Sequence, residues 1–173
     1  MNPQLPGPFQ EPAQDEDRHI DLRDYLLGSW TVDRTLLDRS TGTRGTFTGV
    51  VRFTATGHDG GLRFREDGTV SWASVPGGPA GTAFTGPASR EYLLRPTGVP
   101  DTMDMTFADG RPFHRMGFGP QDSSDQHWCD PDTYRVSYTR TGPDEFRYEW
   151  DVTGPAKDQL LTSVLRRMPE TPA

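Results

Sequence analysis

Apolar and polar residues alternate with a period of two over most of this chain, the pattern of strands that bury one face. Trp30, Val32, Arg34 and Leu36 share one face of a first run, and Phe47, Gly49, Val51 and Phe53 share one face of a second. Further runs cover Leu62 to Phe64, Val70 to Val75, Arg90 to Leu94, Met103 to Phe107 and Phe113 to Phe118. Others cover His127 to Cys129, Tyr134 to Tyr138, Phe146 to Val152 and Leu160 to Leu165. Turn formers separate them: Ser40-Thr41-Gly42, Asp67-Gly68, Asp109-Gly110, Gly142-Pro143-Asp144 and Gly154-Pro155. The two Asp-Gly pairs are expected to mark hairpins, because glycine supplies the positive φ that such turns need. One short helix precedes the strands, with Asp21 as its cap, Leu22, Tyr25 and Leu26 on one face, and Gly28 as its stop. About nine or ten short strands, at roughly 8–12-residue spacing and without a second helix, predict an antiparallel sandwich or barrel. A meander closed on itself also removes exposed edges. The Gly- and Pro-rich segment from Pro76 to Pro87 is the longest connection and a candidate lid over a barrel mouth.

Composition alters this picture in two places. The hydrophobic fraction is 32% and the mean hydropathy -0.74, values that alone suggest disorder. Yet aromatics make up 10%, including four Trp, and the deficit traces to 19 Gly and 16 Pro placed between apolar runs. The chain therefore reads as folded and rich in turns. The exception is the Pro-rich, acidic start, so residues 1–18 are expected to form a disordered tail, 19–168 one barrel domain and 169–173 a C-terminal tail. Net charge is -7, with no basic stripe carrying interleaved aromatics, which argues against a nucleic-acid partner. No apolar run is long enough to span a membrane and no signal-peptide pattern opens the chain, so a cytoplasmic location is expected. Cys129 is the single cysteine, which excludes an internal disulfide.

The segment Tyr25-Leu26-Leu27-Gly28-Ser29-Trp30 reads as a helix turn, then Gly-x-Trp, then a strand, and the last strand ends in Leu165-Arg166-Arg167. Together these resemble the calycin superfamily. That resemblance implies a barrel whose closed end is sealed by Trp30, with Arg166 or Arg167 lying across the indole in a cation–π contact. A longer resemblance runs from Asp21 to Arg167, to an uncharacterised family of short bacterial lipocalin-like domains. Its segments include Phe64-Arg65-Glu66-Asp67-Gly68, Arg90-Glu91-Tyr92, Asp109-Gly110-Arg111-Pro112-Phe113-His114, His127 to Tyr134 and Trp150 to Asp158. It implies an antiparallel lipocalin-like β-barrel of about 8–10 strands with a short N-terminal helix closing one end. It carries no settled activity.

Alternation also predicts which polar side chains share the inner face. Arg34, Glu66, Arg90, Tyr92, His114, His127, Cys129 and Tyr134 are in phase with apolar neighbours and are candidates to line one cavity. Burying so many polar groups is costly unless they pair or meet a ligand. Arg34 and Glu66 suit an internal ion pair that fixes register. Arg90 and Tyr92 suit either a structural pair or a clamp on a ligand carboxylate, an arrangement resembling that of fatty-acid-binding barrels. Asp130-Pro131-Asp132 reads as a turn with a carboxylate capping backbone N–H groups, and Lys157 and Asp158 as solvated turn residues. His114 and His127 are either structural imidazoles held by backbone carbonyls or an acid–base pair, with Tyr92 or Tyr134 as an extra donor. His127-x-Cys129 could offer a metal two ligands, but no tight cluster supplies a third beyond His114 or Glu66, so neither metal nor other cofactor is expected. Nor can Cys129 serve His127 as a nucleophile, because residues two apart on a strand lie parallel.

Two functions fit these residues. One is a binding barrel around a small, partly apolar molecule whose acidic or hydroxylated group faces Arg90, Tyr92 and the histidines. The other is a small barrel enzyme running isomerisation, cyclisation or elimination through His114, His127 and Tyr134. Either is expected to act as a monomer or homodimer.

Overall fold

The computed structural model describes residues 20–57, 59–73 and 82–169. The expected tail 1–18, residues 170–173 of the expected C-terminal tail and residues 76–81 of the candidate lid lie outside the described residues. Helix α1 (Leu22–Leu26) leads into ten antiparallel strands. These are β1 (Gly28–Asp38), β2 (Thr43–Ala55), β3 (Leu62–Trp72), β4 (Phe84–Pro96) and β5 (Thr102–Phe107), followed by β6 (Pro112–Gly117), β7 (Ser124–Cys129), β8 (Asp132–Arg140), β9 (Glu145–Gly154) and β10 (Lys157–Arg167).

They form one sheet in the order β6-β5-β4-β3-β2-β1-β10-β9-β8-β7, so the first strand pairs with the last and the sheet curls into a nearly closed barrel. The strands β6 and β7 end the order and face each other across a seam. There the Arg115 N–H donates to Asp125 Oδ2 at 2.5 Å, a side chain doing what a ladder carbonyl does elsewhere.

The period of two is realised strand by strand. In β1, Trp30, Val32 and Arg34 are buried while Thr31, Asp33 and Thr35 are exposed; in β9, Phe146, Tyr148, Trp150 and Val152 point inward. Each large apolar side chain taken out of water contributes about 1.5–3 kcal/mol.

Helix α1 covers one end of the barrel. Asp21 caps it by accepting from the Asp24 N–H at 3.0 Å, and Gly28 ends it at φ +112. Trp30 donates from Nε1 to the Leu26 carbonyl at 2.8 Å, and the Arg167 guanidinium carbon stands 4.2 Å from the indole centroid. Arg167 also donates to the carbonyls of Tyr25 (2.6 Å) and Leu27 (3.0 Å). Of the two arginines expected at this position, Arg167 is therefore the one on the indole, as its register partnership with Trp30 requires. Arg166 points to the opposite face and pairs with Asp33 and Glu145.

The Asp67-Gly68 pair is a correction. Asp109-Gly110 does make a turn, with Gly110 at φ +86, but Asp67 and Gly68 lie inside β3, which joins the runs at Leu62 and Val70 into one strand. Gly68 stands opposite Gly49 in β2, and the Phe47 ring folds over it. A Cβ at Gly68 would press on the Thr48 carbonyl and come within 2.5 Å of Phe47 Cζ. Glycine is needed here for the closeness of two backbones rather than for a turn. The candidate lid is also shorter than expected, because residues Phe84 to Pro87 belong to β4.

Candidate functional site

Three charged residues from three strands converge inside the barrel. Arg34 (β1) and Glu66 (β3) are 6% and 2% exposed. Arg34 grips Glu66 in a bidentate fork, Nη1 to Oε1 at 3.0 Å and Nη2 to Oε2 at 2.6 Å, while its Nε donates to Ser163 Oγ at 2.8 Å. Arg90, the register partner of Glu66 on β4, adds a second guanidinium: Nη2 donates to Oε2 at 3.2 Å. Its Nε lies 2.7 Å from Oε1, an ionic contact without hydrogen-bond alignment. Both arginines donate to the Tyr148 hydroxyl, at 2.5 and 2.7 Å. Burial alone would raise the Glu66 pKa, but the two guanidiniums outweigh it and hold the carboxyl below its usual range. Two cations on one carboxylate leave the cluster with one unit of positive charge, and Arg90, whose side chain is 28% exposed, presents it.

Beside this cluster the lumen is filled by rings. Phe113 stacks on Trp150 at 5.2 Å and on Tyr92 at 5.2 Å, and Phe64 leans on Tyr92 at 5.6 Å. The space left for the centres of water molecules is about 20 Å³, room for one or two waters. His114 borders this space. Its Nε2 lies 2.7 Å from the Tyr138 hydroxyl, and its Nδ1 is buried with no partner. Burial pushes the imidazole down to about 4, so the ring is neutral at pH 7. Burial drives the Tyr138 phenol in the other direction, well above its ordinary value.

The two histidines do not meet face to face. Phe113 stands edge-on against both, 4.6 Å from His114 and 5.1 Å from His127. His127 is half-buried on β7, near Phe107 and Tyr134. Tyr134 accepts from Lys157 Nζ at 3.1 Å, and the same ammonium pairs with Asp132 at 2.6 Å. The turn expected at Asp130-Pro131 is present, Asp132 is buried, and Lys157 is exposed while its ammonium pairs with that carboxylate. Asp158, also expected to be solvated, binds exposed Arg39 at 2.6 Å. Cys129 is corrected outright. It is exposed at the last position of β7, beyond the wall of the lumen, and takes no part in the cavity. Among the described residues, no three His, Cys, Asp or Glu side chains stand close enough to hold a metal ion.

A second space opens on the other side of the ion cluster. It measures about 190 Å³ and is walled by Leu36, Phe47, Val70 and Ala88, with Arg34, Glu66, Ser89 and Arg90 at its polar end. Arg90 borders both this vestibule and the ring-filled lumen. The structure thus brings Arg34, Glu66, Arg90 and Tyr92 into one neighbourhood and His114, His127 and Tyr134 along the lumen and rim. Reading the sequence missed Tyr148, Tyr138 and Ser163. The signal was present for the tyrosines, since Tyr148 is in phase with Phe146 and Trp150, and Tyr138 with Val136.

Residues 26–167 match a family of unknown function, DUF6314. No curated protein matches the chain. Among solved structures, the S-type phycobiliprotein lyase CPES from Guillardia theta superposes with a TM-score of 0.57 at 11% identity, over 86% of this chain and 92% of that one. A protein of unknown function from the DUF3598 family of Nostoc punctiforme gives 0.56 at 10% identity, over 84% of this chain and 49% of that longer one. At these identities the likeness is one of fold. No described helix is long and apolar enough to cross a membrane.

Proposed function

The chain belongs to DUF6314, a family of unknown function, and we propose that it is a lipocalin-like binding barrel for a small, partly apolar molecule with an acidic group. The observation that carries this reading is the surplus positive charge of Arg34, Glu66 and Arg90, held at the polar end of an apolar-walled vestibule. Arg90 is partly exposed and its charge lacks a counter-ion, and a ligand carboxylate or similar anion supplies one through a charge-assisted bond while Leu36, Phe47 and Val70 cover its apolar part. At about 190 Å³ the vestibule suits a ligand of roughly one ring.

The same cluster bears on the enzyme reading. A general base works best with a pKa near the operating pH, and His114, held at about 4 by burial, is far from it. Tyr134 is tied to Lys157. Both facts favour binding over acid–base turnover through His114, His127 and Tyr134.

Benzoate and the isosteric neutral benzamide separate the possibilities, with affinities measured by calorimetry and by backbone amide shifts. Benzoate is expected to bind about tenfold or more tightly than benzamide, since a charge-assisted bond is worth about 1.5–3 kcal/mol. Arg90→Met, which leaves Arg34 and Glu66 as a neutral pair, should erase that preference. Equal affinities in the parent protein, or a preference that survives Arg90→Met, refutes the reading.

A further inference from the structure

Outside the seam between β6 and β7 lies a groove of about 760 Å³. Met105, Phe113 and His114 line both this groove and the inner lumen. The ladder between β5 and β6 shifts register between Met105 and Thr106: Met105 pairs with His114 but Thr106 with Pro112, which leaves Phe113 as an extra residue on β6. Such irregularities re-aim a side chain. The extra residue, Phe113, turns inward beside His114, while Thr106, in phase with Asp104, lines the groove with its Oγ1 buried and without a partner. His114, paired with Met105 across the ladder, also lines the groove, and its Nδ1 is unpartnered. Two orphaned polar atoms on residues that line one groove, each residue more than nine-tenths buried, are uncommon in a folded protein.

We propose that this groove is a second binding site, taking a neutral group that both donates and accepts hydrogen bonds, such as a carboxamide or a hydroxyl. The imidazole is neutral, so at any moment Nδ1 is either a donor or an acceptor, and the threonine hydroxyl can be both. A group with one donor and one acceptor satisfies the two atoms together in either arrangement. The rim selects against an anion: Arg95 and Arg115 face Asp104, Asp122 and Asp125, and Arg115 is already held by Asp104 at 2.8 Å. It thereby differs in chemistry from the vestibule at Arg90, and the two sites are read out at different residues.

Three nearly isosteric probes test the assignment: acetamide, acetate and acetamidinium, each titrated against the intact protein while the amide and side-chain resonances of Thr106 and His114 are followed. Acetamide is expected to move these resonances saturably. It should bind there about tenfold more tightly than either ion, and to lose about tenfold in Thr106→Val and in His114→Phe. Thr106→Val preserves shape, and unchanged amide shifts away from the seam establish its fold, so it decides the matter even where His114→Phe perturbs packing. Undiminished acetamide binding in Thr106→Val, an ion binding as tightly as acetamide at these resonances, or no response to acetamide overturns the proposal.

Discussion

Replacing Glu66 with glutamine keeps the volume of the side chain and removes its charge, which isolates the electrostatic part of the ion cluster. In the parent protein one carboxylate answers two guanidiniums, and the Arg34–Glu66 pair is almost wholly out of water, 6% and 3% exposed at the side chains. Glu66→Gln strands Arg34 beside Arg90 without a counter-charge and turns an amide donor toward a guanidinium. Breaking a buried pair in this way costs about 3–5 kcal/mol. Arg90 adds little, because its partial exposure lets solvent screen it. Against a total stability of about 5–15 kcal/mol this is a large loss, and it should lower the urea midpoint by about 2 M at an unchanged slope. Equilibrium unfolding followed by tryptophan fluorescence measures it. Adding Arg34→Met to Glu66→Gln should recover most of the loss, since removing both partners leaves only one, partly solvated, cation. A single-variant loss below about 1 kcal/mol, or no recovery in the double variant, would refute the view that the carboxylate neutralises a buried cation.

The pH dependence of stability should show two windows. His114, depressed from 6.5 to about 4, binds a proton more readily in the unfolded chain, so its contribution is complete above 6.5 and is lost as pH falls toward 4. The loss amounts to about 3 kcal/mol at most, and a denaturation series on His114→Phe should lack it. Glu66, also depressed, contributes fully above about 4.5 and loses that contribution only as pH falls further, so acid unfolding of Glu66→Gln should be flatter below that point. Arg167→Met removes a cation–π contact and two bonds to helix carbonyls and should cost about 2 kcal/mol, whereas Arg166→Met, exposed, should cost under about 1 kcal/mol; thermal unfolding compares them. Gly68→Ala drives a methyl group into the Thr48 carbonyl and the Phe47 ring and should destabilise by about 1–3 kcal/mol; if it instead stabilises, in the manner of an ordinary strand glycine, the close approach of β2 and β3 is wrong.

The architecture was legible because alternation is enforced at every strand: once Trp30 faces inward, Val32 and Arg34 must follow, and their partners on β2 and β10 are set. The same rule found Arg34, Glu66 and Arg90, whose meeting depends on register alone. It failed at strand ends. Cys129 is in phase with His127, but the wall stops there, and phase says nothing once no neighbour covers the residue. It failed again at Asp67-Gly68, where a local turn preference lost to the continuous pairing of β2 with β3 and β3 with β4 on either side. Tyr148 escaped notice for a different reason. A tyrosine between Phe146 and Trp150 reads as one more core ring, and only the folding of β1 and β4 around it sets its hydroxyl between two guanidiniums. That the consecutive residues Phe113 and His114 both reach the lumen depends on a register shift that no residue type signals.

A cylinder stitched all the way round resists widening, because every direction of strain meets a row of backbone hydrogen bonds. This one is slit lengthwise between β6 and β7, with the Arg115–Asp125 contact as a clasp. Such a tube springs apart along its slit before anything else yields, so amide protons of β6 and β7 should exchange soonest and those of β1 and β10, on the opposite wall, last. The slit also runs past His114, which borders both the groove outside and the ring-filled interior, and so stands where whatever enters by that route first arrives.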